Sequence, residues 1–305
     1  MSGAMEGLAH KISAAGDLRM VVRAMKALAA SNIGQYERAV AALQAYYRTV
    51  ELAVRAASPP LAAGPPPERP AREAGVGAVI FGSDQGLVGR FNEVLMDFAA
   101  RSLGERLDPS ARLWAVGDRM RALAKRAGPR VRALALPNSV DSIAPLVGQV
   151  LIELAAAQED GAVSEVYVFH NSPRGAARYE PVVSRLLPLD AKWQREMTAL
   201  HWPTPRIPQV IESSEEAFQA FVREYLFVLL FQACAESLGS ENASRLAAMQ
   251  RAEKNIETLL EHMKRDFHRI RQESIDEDLF EVIAGYDSLA RDTAYQRIQP
   301  TVLRR

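Results

Sequence analysis

The chain has 305 residues, and its 37 Lys and Arg balance its 37 Asp and Glu to a formal net charge of zero. That balance argues against a general nucleic-acid binder, which carries a basic surplus, and the single cysteine, Cys234, excludes an intrachain disulfide and a zinc cluster. A hydrophobic share of 48% is that of an ordinary globular protein, here of about two domains by length.

Proline placement turns these averages into an architecture. Of 17 prolines, 16 lie between Pro59 and Pro208 and the last is Pro300, so residues 1–58 and 209–299 contain none. Proline lacks an amide N–H and clashes with the preceding helical turn. Two proline-free ends predict two long helices around an inserted middle. The expected parts are an N-terminal coiled-coil helix over 1–57, a Pro-rich linker over 58–73, an α/β globular domain over 74–208, and a C-terminal coiled-coil helix and tail over 209–305. Net charge divides along the same lines, +3 for residues 1–57, +2 for 58–208 and −5 for 209–305, so the two ends are complementary in sign.

In the first segment, steps of four and three pick out Leu8, Ile12, Ala15, Arg19, Val22, Lys26, Ala29, Ile33, Tyr36, Val40, Leu43, Tyr47, Val50, Val54 and Ala57. All but Arg19 and Lys26 are apolar or aromatic, which is the a/d seam of a coiled coil. The N-terminus carries Glu6, His10 and Lys11 without an apolar stretch, so no signal peptide is expected and the chain reads as soluble in a reducing compartment.

After the stiff proline linker, the middle alternates strands and helices. Strands are expected at Gly77–Gly82, Arg112–Val116, Glu165–His170 and Tyr179–Leu189, and helices from Phe91, over Asp118–Arg126 and over Asp141–Gln158. Such alternation predicts a small α/β, Rossmann-like sheet. The turn Gly82-Ser83-Asp84-Gln85-Gly86-Leu87-Val88-Gly89 follows the first strand and invites a test for phosphate binding. It fails: Leu87 stands where a P-loop needs its second glycine, Arg90 and Phe91 replace the Lys and Ser/Thr, and no G-x-G-x-x-G spacing is present.

The C-terminal segment repeats the seam with Leu246, Met249, Glu253, Ile256, Leu260, Met263, Phe267, Ile270 and Ser274, broken at Glu253 and Ser274. Ser213 with Glu216 reads as a capping box. Glu215 to Phe231 is apolar on nearly all sides and is expected to lie against the middle domain, with Cys234 a packed thiol and Gly239 a kink or break. Neither the five histidines nor Asp276-Glu277-Asp278 forms a metal motif, and no nucleophile elbow exists. No catalytic residue, cofactor or metal is therefore expected. On residues alone a coiled-coil scaffold and a small α/β nucleotide-binding enzyme with helical arms both stay open.

Several runs resemble the γ subunit of F-type ATP synthases across residues 5–289. Arg23 to Ser31 is similar to the family's A-M-x-M-V-A-A-S-K, and Ser83 to Asn92 to its S-D-R-G-L-C-G-x-x-N. Tyr179 to Leu189 matches a segment ending in L-L-P-L. Ser240 to Met249 matches S-E-x-A-A-R-M-x-A-M, Asn255 falls in an A-x-x-N-A position, and Arg271 to Ile275 matches R-Q-x-x-I. The family's N-T-x-K-I-T is replaced by Gly16 to Val22, Asp276 and Asp278 replace its Thr and Glu, and Ala290 to Arg305 extends past the usual end. These are departures of a divergent branch, such as that of an alternative F-type complex.

The resemblance implies a non-catalytic central-stalk rotor that couples ion flow through the membrane sector to ATP synthesis or hydrolysis on the beta subunits. It implies an antiparallel helical pair inside a hexamer of alpha and beta subunits, with epsilon subunit and membrane c-ring as further partners. The place it implies is peripheral, on the cytoplasmic side of the cell membrane. Arg19, Arg23 and Lys26 fall on one helical face and are expected to meet acidic beta-subunit loops. Arg271 and Gln272 match family positions that hydrogen-bond a beta-subunit loop, and Met25 matches a tightly packed one.

Overall fold

A computed structural model describes residues 2–58, 75–175, 178–206 and 214–298. The proline linker, Ser213 of the expected capping box and Pro300 of the tail lie outside the described residues. The chain divides into two compact units, Met1–Ala24 with Gln250–Arg305 and Met25–Met249.

Two long helices account for nearly half of the chain, α1 (Ser2–Ala57) and α6 (Ser214–Ile298). Every seam position expected on α1 is buried or half-buried, as is every one on α6. Within Met25–Met249 the helices run antiparallel. Asn32 Nδ2 donates to Asn242 Oδ1 at 3.4 Å, Tyr46 Oη donates to a Glu224 carboxylate oxygen at 2.6 Å, and the Tyr47 and Tyr225 rings stack with centroids 5.8 Å apart. Rising numbers on α1 meet falling numbers on α6. Gly239 does not break α6. It is buried in an uninterrupted helix, and a Cβ there would lie 3.6 Å from that of Tyr36. That is an ordinary contact distance, so space does not demand the glycine.

Between the helices in sequence lie β1 (Gly75–Phe81), α2 (Phe91–Leu103), β2 (Arg112–Val116), α3 (Asp118–Arg126), β3 (Arg130–Leu134), α4 (Ile143–Glu159), β4 (Val163–Pro173), β5 (Tyr179–Leu187) and α5 (Ala191–Ala199). The strands form one sheet in the order β3-β2-β1-β4-β5, parallel except for β5. Alternate residues of the parallel strands face opposite cores, as strand geometry requires. Ala78, Ile80, Leu113 and Ala115 pack with Leu95, Met96 and Met120 of α2 and α3. Val79, Phe81, Trp114 and Val116 pack with Val147, Val150 and Leu154 of α4 and with Leu230, Ala233, Cys234 and Leu238 of α6. The Cys234 thiol is buried there, and desolvation raises its pKa.

Two elements depart from expectation by being additional. β3 reads Arg-Val-Arg-Ala-Leu, with arginines on an exposed edge that mask its strand pattern, and basic side chains there also discourage edge-to-edge pairing. α5 is amphipathic but short. Its Trp193 and Met197 join Val50, Val54, Tyr225 and Val228 in a separate cluster, and the Asp190 side chain caps it by accepting the Trp193 N–H at 3.0 Å. The start of α6 therefore packs against α1 and α5 as well as the sheet. By length and composition, windows within Val140–Glu159 and Glu215–Tyr286 are apolar enough to cross a membrane, but α4 lays its Val147, Val150 and Leu154 on the sheet.

The turn after β1 is tied up internally. The buried Ser83 donates its N–H to Asn92 Oδ1 at 2.9 Å, and Asn92 Nδ2 donates to Ser83 Oγ at 2.7 Å. Asp84 Oδ1 accepts the Asp118 N–H at 2.9 Å and so occupies the N-terminus of α3. Gly82 is required by space: a Cβ would stand 2.4 Å from Met120 Cβ and 2.7 Å from Asn92 Oδ1.

Two outcomes follow for stability. Gly82→Ala overpacks this junction and lowers unfolding free energy by about 1–3 kcal/mol in a denaturant titration; wild-type stability would contradict the packing. The second concerns Glu236. Burial pushes this carboxyl up, but hydrogen bonds from His170, Gln232 and Ser172 outweigh it and hold the pKa at about 2. A carboxyl depressed in the folded state stabilises it above the unfolded value, and that share is lost as pH falls towards 2. Glu236→Gln therefore flattens the loss of melting temperature between about pH 5 and pH 2; an unchanged slope would contradict the assignment.

Candidate functional site

Among the described residues no group of three or more His, Cys, Asp or Glu is placed to hold a metal. The candidate contact residues lie on the two long helices and fall in four settings.

Arg19 and Lys26 are half-buried seam positions, not outward-facing ones, and Arg19 Nε is buried without a hydrogen-bond partner. Arg23 is exposed but engaged. Its Nε donates to Glu253 Oε1 at 2.6 Å and its Nη2 to Glu257 Oε1 at 3.2 Å, and these carboxylates raise its pKa, the Glu253 hydrogen bond most. The expected complementarity of the two ends is thus realised at Arg23, where a basic side chain of α1 meets two acidic ones of α6. Exposed pairs of this kind contribute little to stability but favour one register over its neighbours. Met25 is half-buried beside Leu28 and Ala29 at the edge of a cavity of about 300 Å³ that Asp84, Glu241 and Arg245 also line.

Arg271 and Gln272 are both exposed on α6, and Arg271 has no ion-pair partner among the described residues. They lie fourteen residues beyond Glu257, or about 20 Å along a helix axis. The Arg23 cluster and the Arg271–Gln272 pair are therefore two separate places on the helical unit. The acidic run Asp276-Glu277-Asp278 is exposed one turn further on.

Reading by seam and charge missed the apolar outer surface of this unit. Leu18, Met20 and Val21 on α1 are each more than half exposed, beside seam residues that are not. On α6 every residue from Ile275 to Tyr286 is exposed, including Leu279, Phe280, Val282 and Ile283, with Phe280 at 71% and Val282 at 72%. Large apolar side chains grouped on a surface mark a place another molecule covers. Their signal in the sequence is that they are apolar yet off the seam.

Comparison with known proteins agrees with this geometry. The family model described as ATP synthase matches residues 4–289. The ATP synthase gamma chain of Arthrobacter sp. is 28% identical over 291 residues, covering 92% of this chain and 96% of that one. That of Moorella thermoacetica is 26% identical over 299 residues, covering 93% and 99%. Among solved structures, the rotor of the Euglena gracilis mitochondrial ATP synthase superimposes with a TM-score of 0.63 at 16% identity, covering 90% of this chain and all of that one. The central stalk and c-ring of the Tetrahymena thermophila mitochondrial enzyme gives 0.53 at 20% identity, covering 76% and 99%. With the family matched over nearly its whole length, the chain belongs to the ATP synthase gamma family.

Proposed function

We propose that the chain is the rotor of an ATP synthase and works by contact alone. The observation that carries this is the pairing of two features in one molecule: two helices zipped along a seam, and an outer surface of unpaired apolar side chains from Leu18 to Val21 and from Ile275 to Tyr286. The seam gives a stiff body. The apolar surface gives it a surround to turn in. Rotation presents different side chains to each catalytic beta subunit in turn, and differential contact is what shifts the affinity of a site.

In this reading the helical unit meets the alpha and beta subunits, and the α/β unit meets the epsilon subunit and the c-ring. The complex is membrane-associated, with this subunit peripheral on the cytoplasmic side. Arg271 and Gln272 are exposed and suited to hydrogen-bond a beta-subunit loop, since an Arg guanidinium offers a planar fork of donors. Of the α1 candidates only Arg23 is exposed and offered to the beta-subunit loops, Arg19, Met25 and Lys26 being half-buried. Arg23 there presents only what its two glutamates leave free, so its contribution is to hold the helices in register beneath the contact as much as to touch the partner.

Mixing the chain with alpha and beta subunits of its own complex is expected to yield an assembly with ATPase activity; a chain that stays apart and binds nucleotide by itself would overturn the reading in favour of an enzyme. In the assembled complex, Arg271→Ala is expected to lower ATP synthesis by about tenfold or more, the effect of losing at least one charge-assisted hydrogen bond of about 1.5 kcal/mol from a working contact. Synthesis and hydrolysis at wild-type rates would remove Arg271 from the contact.

A further inference from the structure

A rotor must pass torque from its α/β domain into its shaft helix, and the structure narrows where that happens. Along residues 229–246, α6 is flanked by three cavities of about 340, 300 and 230 Å³. The first lies by Tyr36, Ser172 and Glu236, the second by Asp84 and Glu241, the third by His170, Leu229 and Gln232. Beside these gaps, and in addition to the apolar packing of Leu230, Ala233, Cys234 and Leu238, polar and directional contacts join α6 to the α/β domain.

Three ties do so. His170 Nε2, at the far half of β4, lies 3.1 Å from Glu236 Oε2, and Gln232 Nε2 donates to Glu236 Oε1 at 2.7 Å. The Ser237 hydroxyl donates to the carbonyl of Phe81, the last residue of β1, at 2.8 Å. Two turns on, the Ser244 hydroxyl donates to the carbonyl of Val88 in the following turn at 2.6 Å. Ser237, Ser244 and His170 are buried, and the Glu236 side chain is 13% exposed. Small neighbours, Ala233, Ala235, Gly239, Ser240 and Ala243, let the helix sit directly on the end of the sheet.

We propose that Glu236, Ser237 and Ser244 are the torque-bearing ties through which the α/β domain turns α6. A hydrogen bond fixes both a distance and a direction. Two of these ties hold main-chain carbonyls, which cannot swing away as side chains do. They hold α6 at two points two turns apart, and two points define an axis against which a helix cannot roll. The inference rests on the rotor reading, and its test separates the two, because a chain that is not a rotor shows no rotation even as wild type.

The test uses the complete complex carrying Glu236→Gln, Ser237→Ala and Ser244→Ala together. Torsional stiffness is read from the angular fluctuations of a probe on the α/β domain while the catalytic head is held, and ion transport is read per ATP hydrolysed. A loss of stiffness and of transport per ATP, with hydrolysis retained, is expected. Val147→Ala, which opens the core under α4 away from the ties, serves as the comparison: it lowers melting temperature and leaves stiffness at wild type. Wild-type stiffness in the triple variant, or equal softening by Val147→Ala, would overturn the proposal. Should the triple variant fail to assemble, Ser244→Ala alone is read by the same two outcomes.

Discussion

Apolar side chains recur at every third or fourth position of α1, and they must leave water together. α6 is the surface that receives them. This antiparallel seam is the constraint on which the rest depends, because neither helix is stable at such length without a partner. The seam fixes register through its steps, through Arg23 between Glu253 and Glu257, and through the Tyr47–Tyr225 stack. Within Met25–Met249 it also sets the position of the sheet, since Leu230, Ala233, Cys234 and Leu238 of α6 share one core with the sheet and with Tyr36 of α1.

A protein built this way has its function in geometry and stiffness. Its polar groups are consumed by structure. Asp84 occupies a helix N-terminus, Asn92 braces the turn after β1, and Glu236 joins helix to strand. Left over on the outside of the helical unit are apolar side chains and the exposed polar groups Arg271, Gln272 and Asp276 to Asp278.

Much of this was legible in the sequence, and the reasons are physical. Proline cannot sit inside a helix, so its absence from both ends outlined α1 and α6, and a seven-residue repeat identified the covered face down to Arg19 and Lys26. Buried parallel strands such as Gly-Val-Gly-Ala-Val-Ile-Phe are apolar throughout and stand out. β3 did not, because an edge strand is free to carry arginines. α5 did not, because a short helix gives too few turns for a period to register. Gly239 was misleading, because a glycine lowers helix propensity without ending a helix that packing holds together. The candidate contact residues were legible in type but not in direction. Charge spacing placed Arg19, Arg23 and Lys26 on one face without telling which face looked outward, and the exposed apolar residues of α6 were hidden by the expectation that apolar means inside.

The central claim is that this chain turns within its complex as a stiff body and has no chemistry of its own. The most direct measurement fixes the catalytic head of the assembled complex to a surface, attaches a probe to the α/β domain, and supplies ATP. The account predicts rotation of the probe in one direction, in regular steps that stop when ATP is removed. ATP hydrolysis by the same molecules with a stationary probe would contradict it.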